Sequence, residues 1–334
     1  MNVEYKFLTI SELKTYFIDS YLDPDRIYGT GVELYKNAIL SNPNVTDNSY
    51  AVCLALVDGK IAGRFMLFRT RLKVLEDVYS IQTGGGILVD EKYRGEGVGH
   101  TLIQNVLKFE FHFGALYTRA AYDIVRKTEE MLEIPQYVKL RNVGIKKIFD
   151  LPLKLRLGVL TRRFHVERLD LVPNWVTSMI DTDKHKYKEV HDASWLQWAL
   201  DNNATGCKDD YQSFYAVYDR DKNPIGFFMT KVRNVVQGGL QFKKANLVEW
   251  DSSNYDYLSE VDINILAYAT LDESVSKFWT ITENKESGNK LKKYFFSRKG
   301  WFAMSINKDD RFKDIGDVNQ WRIRYGCSNT PIVE

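Results

Sequence analysis

The sequence predicts an α/β fold built from two similar halves, and three observations support this prediction. A chain of 334 residues is long enough for about two domains. Residues 49–69 and 213–233 share one pattern, in which a strand, a polar turn and a second strand follow each other. Between them, at residues 86–103, an apolar strand runs into a glycine-rich loop and an amphipathic helix.

The elements of each half are predicted in the same order. A helical stretch comes first, at residues 11–22 in the first half and at residues 194–201 in the second. A hairpin follows in each half, and Asp58-Gly59 is a typical turn sequence for the first one. Ile61 and Ile225 occupy equivalent positions in the two hairpins, 164 residues apart. The chain therefore repeats one structural unit.

The loop at residues 94–99 has the properties of a pyrophosphate-binding site. It follows the apolar strand at residues 87–89, it carries three glycines in alternation, and a helix begins at His100. A helix N-terminus offers free backbone N–H groups to an anion. Gly97 and Gly99 have no Cβ atom, so a phosphate can come close to the main chain.

Two common phosphate-binding motifs do not fit this loop. A P-loop ends in Gly-Lys-Ser/Thr, whereas Gly99 is followed by His100 and Thr101, so no lysine reaches a terminal phosphate. A Rossmann fingerprint lies early in a βαβ unit and needs a third glycine where His100 stands. A different class of cofactor must account for the pattern.

The pattern Arg/Gln-x-x-Gly-x-Gly/Ala after an apolar strand resembles the acetyl-CoA loop of the GCN5-related N-acetyltransferase (GNAT) family. Arg94, Gly97 and Gly99 occupy its defining positions, and the strand and helix on either side also match. The whole chain resembles a tandem member of this family. The resemblance implies two acyl-CoA N-acyltransferase-like domains, each a mixed, mostly antiparallel twisted sheet flanked by helices.

The resemblance also implies a cosubstrate, acetyl-CoA, and a direct attack of a primary amine on its thioester. The acyl-CoA would lie in the gap between the fourth and fifth strands, with its pantetheine arm along a strand and its pyrophosphate on the loop. The implied cofactor-binding residues are Ile87, Leu88 and Val89 on the strand and Arg94, Gly95, Glu96, Gly97, Val98, Gly99 and His100 in the loop.

The family usually supplies a tyrosine, on the helix after the fifth strand, as a donor to the departing thiolate. The fifth strand is predicted at residues 115–121, and residues 135–140 resemble the end of that helix, so Tyr137 is the first candidate acid. Tyr122 is the second candidate, because it lies close to the end of the predicted strand. For the base, the sequence leaves three candidates open, which are Gln82, Thr83 and Asp123.

The glycine-rich loop has no counterpart in the second half. The position 164 residues after Arg94 is Leu258, and no glycine lies beside it. We therefore expect one cofactor site and three segments. These are an acetyl-CoA-binding domain at residues 1–150, a basic linker at residues 151–190, and a degenerate domain without the loop at residues 191–334.

Residues 139–163 form a basic stretch, with eight lysines and arginines and a single acid, Asp150. Two interpretations stay open. The stretch is either a solvated linker between the halves, or a patch for an anionic acceptor such as a nucleotide-linked sugar or for the 3′-phosphate of CoA.

The composition argues against several other classes of protein. The formal net charge is +2, so no strong field favours nucleic acid or an acidic membrane. No apolar run approaches the ~20 residues of a membrane span and no secretory signal is visible, so we expect a cytoplasmic protein. The three cysteines and five histidines show no metal-ligand spacing, so no metal is expected.

The sequence therefore predicts an N-acetyltransferase whose acceptor is a small-molecule amine or amino sugar, with a homodimer left open. Two alternatives remain, a transferase that uses aminoacyl-tRNA and a non-catalytic module that binds acyl-CoA. The Arg-x-x-Gly-x-Gly loop favours CoA, because tandem relatives that use tRNA tend to lack it.

Overall fold

The computed structural model describes residues 2–19, 37–108, 112–115, 119–127, 129–141, 150–202, 210–307 and 312–327. The strands within these ranges are β1 (Val3–Thr9), β2 (Tyr50–Val57), β3 (Lys60–Val74), β4 (Asp77–Val89), β5 (His112–Ala115), β6 (Glu129–Leu140), β7 (His165–Leu169), β8 (Tyr187–Glu189), β9 (Tyr211–Tyr218), β10 (Pro224–Gln237), β11 (Leu240–Ser252), β12 (Val275–Ile281), β13 (Ser297–Asn307) and β14 (Trp321–Arg322). The helices are α1 (Ile10–Asp19), α2 (Val98–Val106), α3 (Arg119–Val125), α4 (Leu151–Arg163), α5 (Trp175–Asp181), α6 (Ala193–Asp201), α7 (Glu260–Ala269) and α8 (Lys285–Lys293).

The strands form one continuous sheet in which two mixed, mostly antiparallel halves meet edge to edge. The order of the main path is β1-β2-β3-β4-β5-β13-β6-β12-β11-β10-β9-β7. The main path is parallel between β4 and β5 and between β11 and β12. β8 pairs with β3 and carries β14 on its other side. This architecture confirms the fold class predicted from the sequence.

The two halves exchange one strand each, β6 and β13. β6 comes from the first half of the chain, yet it lies between β13 and β12 of the second half. β13 comes from the second half, yet it lies between β5 and β6. β6 and β13 run antiparallel, from the pair Val138–Ser297 to the pair Glu129–Asn307. The two halves are therefore interlocked, and each sheet contains a strand from the other half.

The internal repeat predicted from the sequence is present in the fold. β3 begins at Lys60 and β10 at Pro224, which are 164 residues apart. The first hairpin turns at Asp58 and Gly59, where φ is 50° and 73°, as a type I′ turn requires. The second repeat starts at β7, because β7 pairs with β9 as β1 pairs with β2.

The segment expected to be a basic linker, residues 151–190, is folded. It contains α4, β7, α5 and β8 in succession. α4 buries Leu153 and Leu160 in the core of the second half. Arg156 forms two hydrogen bonds to the carboxylate of Asp262, at 2.7 and 2.8 Å. The sequence shows these basic residues. It does not show acidic partners such as Asp262, because they lie on elements that are distant in the chain.

α2 packs closely on the first half of the sheet. Its buried side chains include Val98, Leu102 and Val106, each worth roughly 1.5–3 kcal/mol when removed from water. Gly63 on β3 makes the close approach possible, because a Cβ there would lie 3.0 Å from the carbonyl oxygen of Leu88 and 3.2 Å from Cδ1 of Leu102. This packing fixes the position of the α2 N-terminus at the end of β4.

The prediction of a helix ending near Tyr137 is wrong, because residues 129–140 form β6. The described part of the fifth strand, residues 112–115, begins earlier than predicted, and α3 occupies residues 119–125. Local sequence could not reveal β6, since the strands on both of its edges belong to the second half. The Tyr137 ring lies in the core of the second half, and a Cβ at Gly288 of α8 would lie 2.2 Å from its Oη.

This contact predicts the effect of Gly288→Ala. The substitution should lower the free energy of unfolding by about 1–3 kcal/mol, because the added methyl overpacks the tyrosine. In a Tyr137→Ala background it should instead be neutral or stabilise by up to about 1 kcal/mol, since alanine is the better helix former. Urea unfolding of the four proteins in a double-mutant cycle measures this. An equal cost in both backgrounds would contradict the packing of β6 against α8.

Candidate functional site

The first half of the sheet opens between β4 and β5. Among the described residues these strands pair only from Gln82 to Gly84, whereas β4 continues to Val89 with β3 as its partner. The register between β3 and β4 shifts between Arg64 and Met66, so β4 carries an extra residue there. Such a bulge bends a strand and ends its pairing. Within the described part of the chain, the last part of β4 is therefore not paired with β5.

The loop after β4 is held in shape by its own side chains. A 3-10 turn at Glu91–Tyr93 follows Asp90, whose side chain accepts a hydrogen bond from the backbone N–H of Lys92 at 3.1 Å. Nε of Arg94 donates to the carbonyl oxygen of Val89 at 3.2 Å. Arg94 thus ties the loop back to the strand while part of its charge stays exposed to solvent.

The glycines of the loop leave an open N-terminus on α2. Gly95 and Gly97 have φ values of 86° and 80°, in the left-handed region that favours glycine. Gly97 is the N-cap and has no side chain to cap the helix. The N–H of Thr101 donates to the carbonyl of Gly97 at 3.0 Å, so the three preceding N–H groups have no partner within the helix. A Cβ at Gly95 or Gly97 would meet no atom within 4 Å.

A shallow depression marks this helix end. Seven of the predicted cofactor-binding residues line it, namely Val89, Arg94, Gly95, Gly97, Val98, Gly99 and His100. Tyr93 also lines it, and no motif in the sequence pointed to that residue. Ile87 and Leu88 lie outside it on β4, and Glu96 is exposed in the loop. Gly99 serves packing, because a Cβ there would lie 3.3 Å from Cγ2 of Val89.

The two candidate acids have different surroundings, and of the two only Tyr137 belongs to a hydrophobic core. Tyr122 is on α3, the helix that follows β5. Its Oη donates to Oε1 of Glu133 at 2.5 Å, and this hydrogen bond is the main reason that the pKa of Tyr122 lies above its usual value. Tyr137 lies on a strand against α8, so the helical placement that suggested it as an acid does not hold.

The three candidate bases have different surroundings. The Thr83 hydroxyl donates to the carbonyl of Phe68 at 3.2 Å, and Asp123 lies 3.2 Å from the guanidinium of Arg126 at the surface. Gln82 is buried, and neither its amide oxygen nor its amide nitrogen has a hydrogen-bond partner among the described residues. An amide does not take up a proton at neutral pH, so Gln82 is suited to holding a polar group of a substrate.

The second half repeats the opening but not the glycine-rich loop. β11 and β12 pair from Lys243 to Asn246, and β11 continues to Ser252 beside β10. α7 begins after Ser259, whose Oγ accepts from the N–H of Asp262 at 3.2 Å and donates to its carboxylate at 2.9 Å. Side chains therefore close this helix end, and its acids disfavour an anion.

A buried network of charges on β11 was not found by sequence analysis. Glu249 is fully buried, and it pairs with His191 and, at 2.8 Å, with the guanidinium of Arg322. Burial by itself would lower the pKa of His191, but the carboxylates of Glu189 and Glu249 raise it to about 9. His191 is therefore a cation at neutral pH. The members come from separate segments, so no spacing in the sequence reveals them.

One group in this network has the composition of a metal site. The ligand atoms of Glu189, His191 and Cys327 all lie within 4.8 Å of one another. The sequence predicted no metal because these residues have no motif spacing, and the fold brings them together. A protonated imidazole has no lone pair for a metal, so an ion would have to displace the proton that Glu189 and Glu249 stabilise on His191.

Comparisons with known proteins find a family match for part of the chain and similar folds for most of it. A profile of the acetyltransferase (GNAT) family matches residues 11–126. The fold is similar to that of a probable N-acyltransferase from Enterococcus faecalis, with 13% identity over 92% of this chain and 72% of that chain and a TM-score of 0.55. It is similar to Saccharomyces cerevisiae N-myristoyltransferase with bound myristoyl-CoA (10% identity, 91% and 78% covered, TM-score 0.57).

A GCN5-related N-acetyltransferase from Anabaena variabilis is also similar, with 11% identity over 91% of this chain and 72% of that chain and a TM-score of 0.54. No curated protein sequence matches the chain. None of the helices in the described ranges is long and apolar enough to cross a membrane.

The fold is similar to that of GNAT acyltransferases, and the first half carries an open helix end directly after β4. Residues 11–126 match the GNAT family model, in agreement with the resemblance of the sequence. The chain carries the GNAT fold twice, and the second copy has lost the loop.

Proposed function

We propose that the protein is an acyl-CoA-dependent N-acyltransferase with a single transfer site in its first half. The observation that carries this proposal is the combination of an unpaired strand end on β4 with an uncapped helix N-terminus directly after it. The first can pair with an amide-containing pantetheine arm, and the second can hold a pyrophosphate. Acyl-CoA contains both groups at a fixed separation.

The residues present fit this cosubstrate. The backbone of Ile87, Leu88 and Val89 offers the strand edge, and the N–H groups after Gly97 face open space. Arg94 holds the loop closed against Val89 and adds positive charge near the depression. The thioester of the bound acyl-CoA supplies the activated acyl group, so the protein needs no nucleophile of its own.

Proton transfer is the chemical task left to the protein. An ordinary amine has a pKa near 10.4, so reaching its neutral form at pH 7 costs about 4.6 kcal/mol. On the acid side, we propose that Tyr122 donates to the departing thiolate. Its position on the helix after β5 suits this role, and its raised pKa keeps the phenol protonated at neutral pH. The Tyr122 hydroxyl has a single proton, so it must turn from Glu133 to the thiolate sulfur for the transfer, which leaves a tyrosinate that solvent reprotonates.

The identities of the acyl group and of the acceptor are proposed separately. Acetyl is the first choice, because the loop pattern resembles that of acetyltransferases. A longer chain is the alternative, since a structure of similar fold has bound myristoyl-CoA. A small-molecule amine or amino sugar remains the proposed acceptor. Lys146 and Lys147, part of the basic stretch considered for an anionic acceptor, lie outside the described residues.

One observation supports the non-catalytic alternative. Two of the three candidate bases are already engaged, Thr83 with a backbone carbonyl and Asp123 with Arg126. If no other group accepts the proton of the amine, the same loop would serve a module that only binds acyl-CoA. Release of free CoA in the presence of an amine separates the two functions.

The loop predicts the effect of Gly97→Trp on cofactor binding. The indole would fill the space where the pyrophosphate is proposed, so the affinity for acetyl-CoA should fall at least about tenfold, or 1.4 kcal/mol. Gly59→Trp is the matched control, because Gly59 also has a positive φ and open space around its Cβ position. Each variant should lose about 1–3 kcal/mol of stability from backbone strain.

Isothermal titration of acetyl-CoA and of myristoyl-CoA into the three proteins provides the measurement. Binding to the wild type and to Gly59→Trp, with loss in Gly97→Trp, would support the proposed site. The tighter of the two ligands would identify the class of acyl chain. No binding of either ligand to the folded wild type would contradict the proposal and favour aminoacyl-tRNA.

The two tyrosines predict opposite results in steady-state kinetics. Tyr122→Phe should lower kcat by about 10²–10⁴-fold with little change in KM, because it removes a proton donor and leaves the cosubstrate site intact. Tyr137→Phe should leave kcat within about twofold, because that ring packs against α8. CoA release with an amine identified by screening is the assay. The reverse pattern would place the acid on β6.

A further inference from the structure

A second cavity lies in the half of the chain that has lost the phosphate loop. It has a volume of about 700 Å³ and occupies the opening between β11 and β12, at the N-termini of α7 and α8. Trp250 and Tyr255 form part of its wall, and Arg324 reaches it from the C-terminal segment. The strands β5, β13, β6 and β12 separate β4 from β11, which corresponds to roughly 20–25 Å at about 4.8 Å per step.

The helix ends around this cavity are capped by side chains, unlike the N-terminus of α2. Ser259 and Asp262 close the start of α7 through their reciprocal hydrogen bonds. Asn284 caps α8, and its Oδ1 accepts from the backbone N–H groups of Glu286 at 2.9 Å and Ser287 at 3.1 Å. A cavity in the position of a cofactor gap has thus become unsuitable for a pyrophosphate.

Two carboxylates face this cavity without full hydrogen bonding. Glu260 is 8% exposed, and its Oε1 has no hydrogen-bond partner among the described residues. The Glu283 side chain is 13% exposed, and its Oε2 has no partner within the same residues. Both line the cavity. A buried carboxylate oxygen without a donor is unfavourable, so a donor group that enters the cavity would stabilise both carboxylates.

Two positive groups beside the carboxylates, Arg324 and His185, are already committed to other contacts. Lys285 and Lys290 also line the cavity, and Lys290 pairs with Glu286 at 2.7 Å. The Arg324 guanidinium stacks 3.7 Å above Trp250, and it lies 3.4 Å from Glu283 and 3.8 Å from Glu249. His185 lies 3.9 Å from Glu283 but bonds to a different carboxylate, Asp183, at 2.8 Å. The inner cavity therefore has two carboxylates around one shared guanidinium, which leaves room for one more cation.

We infer that this cavity binds an organic cation, a protonated amine whose ammonium group donates to Glu260 and Glu283 and whose apolar part lies against Trp250 and Tyr255. An ammonium group has three donors, enough for both unpartnered oxygens. The volume suits a small molecule. A Mg²⁺ or Ca²⁺ ion is less well matched, because it takes six or more oxygen ligands and gains nothing from an aromatic wall. The site does not depend on the proposed acyl transfer.

The site has a defined dependence on pH. Burial, and then the charge of Glu283, raise the pKa of Glu260 to about 7. Since an ammonium group favours the ionised carboxylate, its affinity should rise as the pH rises through 7 and fall below it. The charged and titratable groups that face Glu260 around the cavity are His185, Tyr255, Asp256, Glu283, Lys285, Glu286, Lys290 and Arg324.

The raised pKa of Glu260 also makes the free energy of unfolding depend on pH, in the direction opposite to that of the affinity for the amine. The pKa of Glu260 is about 7 in the folded chain and near 4.5 when unfolded, so the folded chain holds more protons between these values. Its contribution to the free energy of unfolding therefore falls as the pH rises from about 4.5 to 7. Glu260→Gln should remove this fall and should keep or raise the thermal midpoint at pH 8.

Titration calorimetry with 1,5-diaminopentane at pH 8, without CoA, tests the proposal on the full chain. We expect binding to the wild type, a loss of at least about tenfold in Glu260→Gln and in Glu283→Gln, and weaker binding at pH 6. Glu76→Gln is the control, because Glu76 is exposed in the turn between β3 and β4, and it should bind as the wild type does. The neutral 1,5-pentanediol should not bind.

Three results would overturn the inference. Tighter binding of MgCl₂ or CaCl₂ than of the diamine would make the cavity a metal site. Displacement of the diamine by acetyl-CoA would make it a cofactor site. Unchanged binding in both glutamine variants would remove the two carboxylates from the site. Gly97→Trp should still bind the diamine, so a failure of the acyl-CoA proposal would not be mistaken for a failure of this one.

Discussion

The antiparallel pairing of β6 with β13 is the interaction on which the rest of the structure depends. Backbone hydrogen-bonding groups in a sheet must find partners, and an unpaired edge is a liability. Here β13 covers β5 and β6 covers β12, so each half completes the sheet of the other. Apolar side chains follow the backbone pairing, and Ile134 and Phe302 share one buried cluster. The chain therefore forms one interlocked unit.

This exchange of strands explains how one molecule can contain two equivalent openings in its sheet. With its outer edge covered, each inner strand, β5 or β12, can separate from its parallel neighbour without exposing a long free edge. Both β4 and β11 also carry a register shift against the preceding strand, which bends them at the point of separation. The fold thus provides a gap twice, and side chains decide what each gap can bind.

The two gaps have diverged through the residues at one helix terminus. In the first half, Gly97 leaves the N-terminus of α2 open and unobstructed. In the second, Ser259 and Asp262 satisfy that end themselves, and Glu260 brings a carboxylate into the cavity. The change reverses the preferred charge of a ligand, because the N–H groups and helix dipole attract anions while buried carboxylates attract cations.

The sequence by itself determined the features that rest on local chemistry. The Asp58-Gly59 turn, the 164-residue repeat and the strand–loop–helix around Gly97 follow from turn propensity, periodicity and the absence of a Cβ. These were sufficient to predict the GNAT fold and a helix end suited to pyrophosphate.

Only the tertiary structure decided the features that depend on partners far away in the chain. The local sequence around Tyr137 resembles the end of a helix. The segment is nevertheless a strand, β6, because β12 and β13 from the second half pair with it. Glu249, His191 and Arg322 are far apart in the sequence, and the fold brings them into contact. Glu260 and Glu283 likewise line one cavity because of the tertiary structure. Strand pairing and ion pairs between distant segments leave no local pattern in the sequence. Turns and helix ends do leave one, because they depend on neighbouring residues.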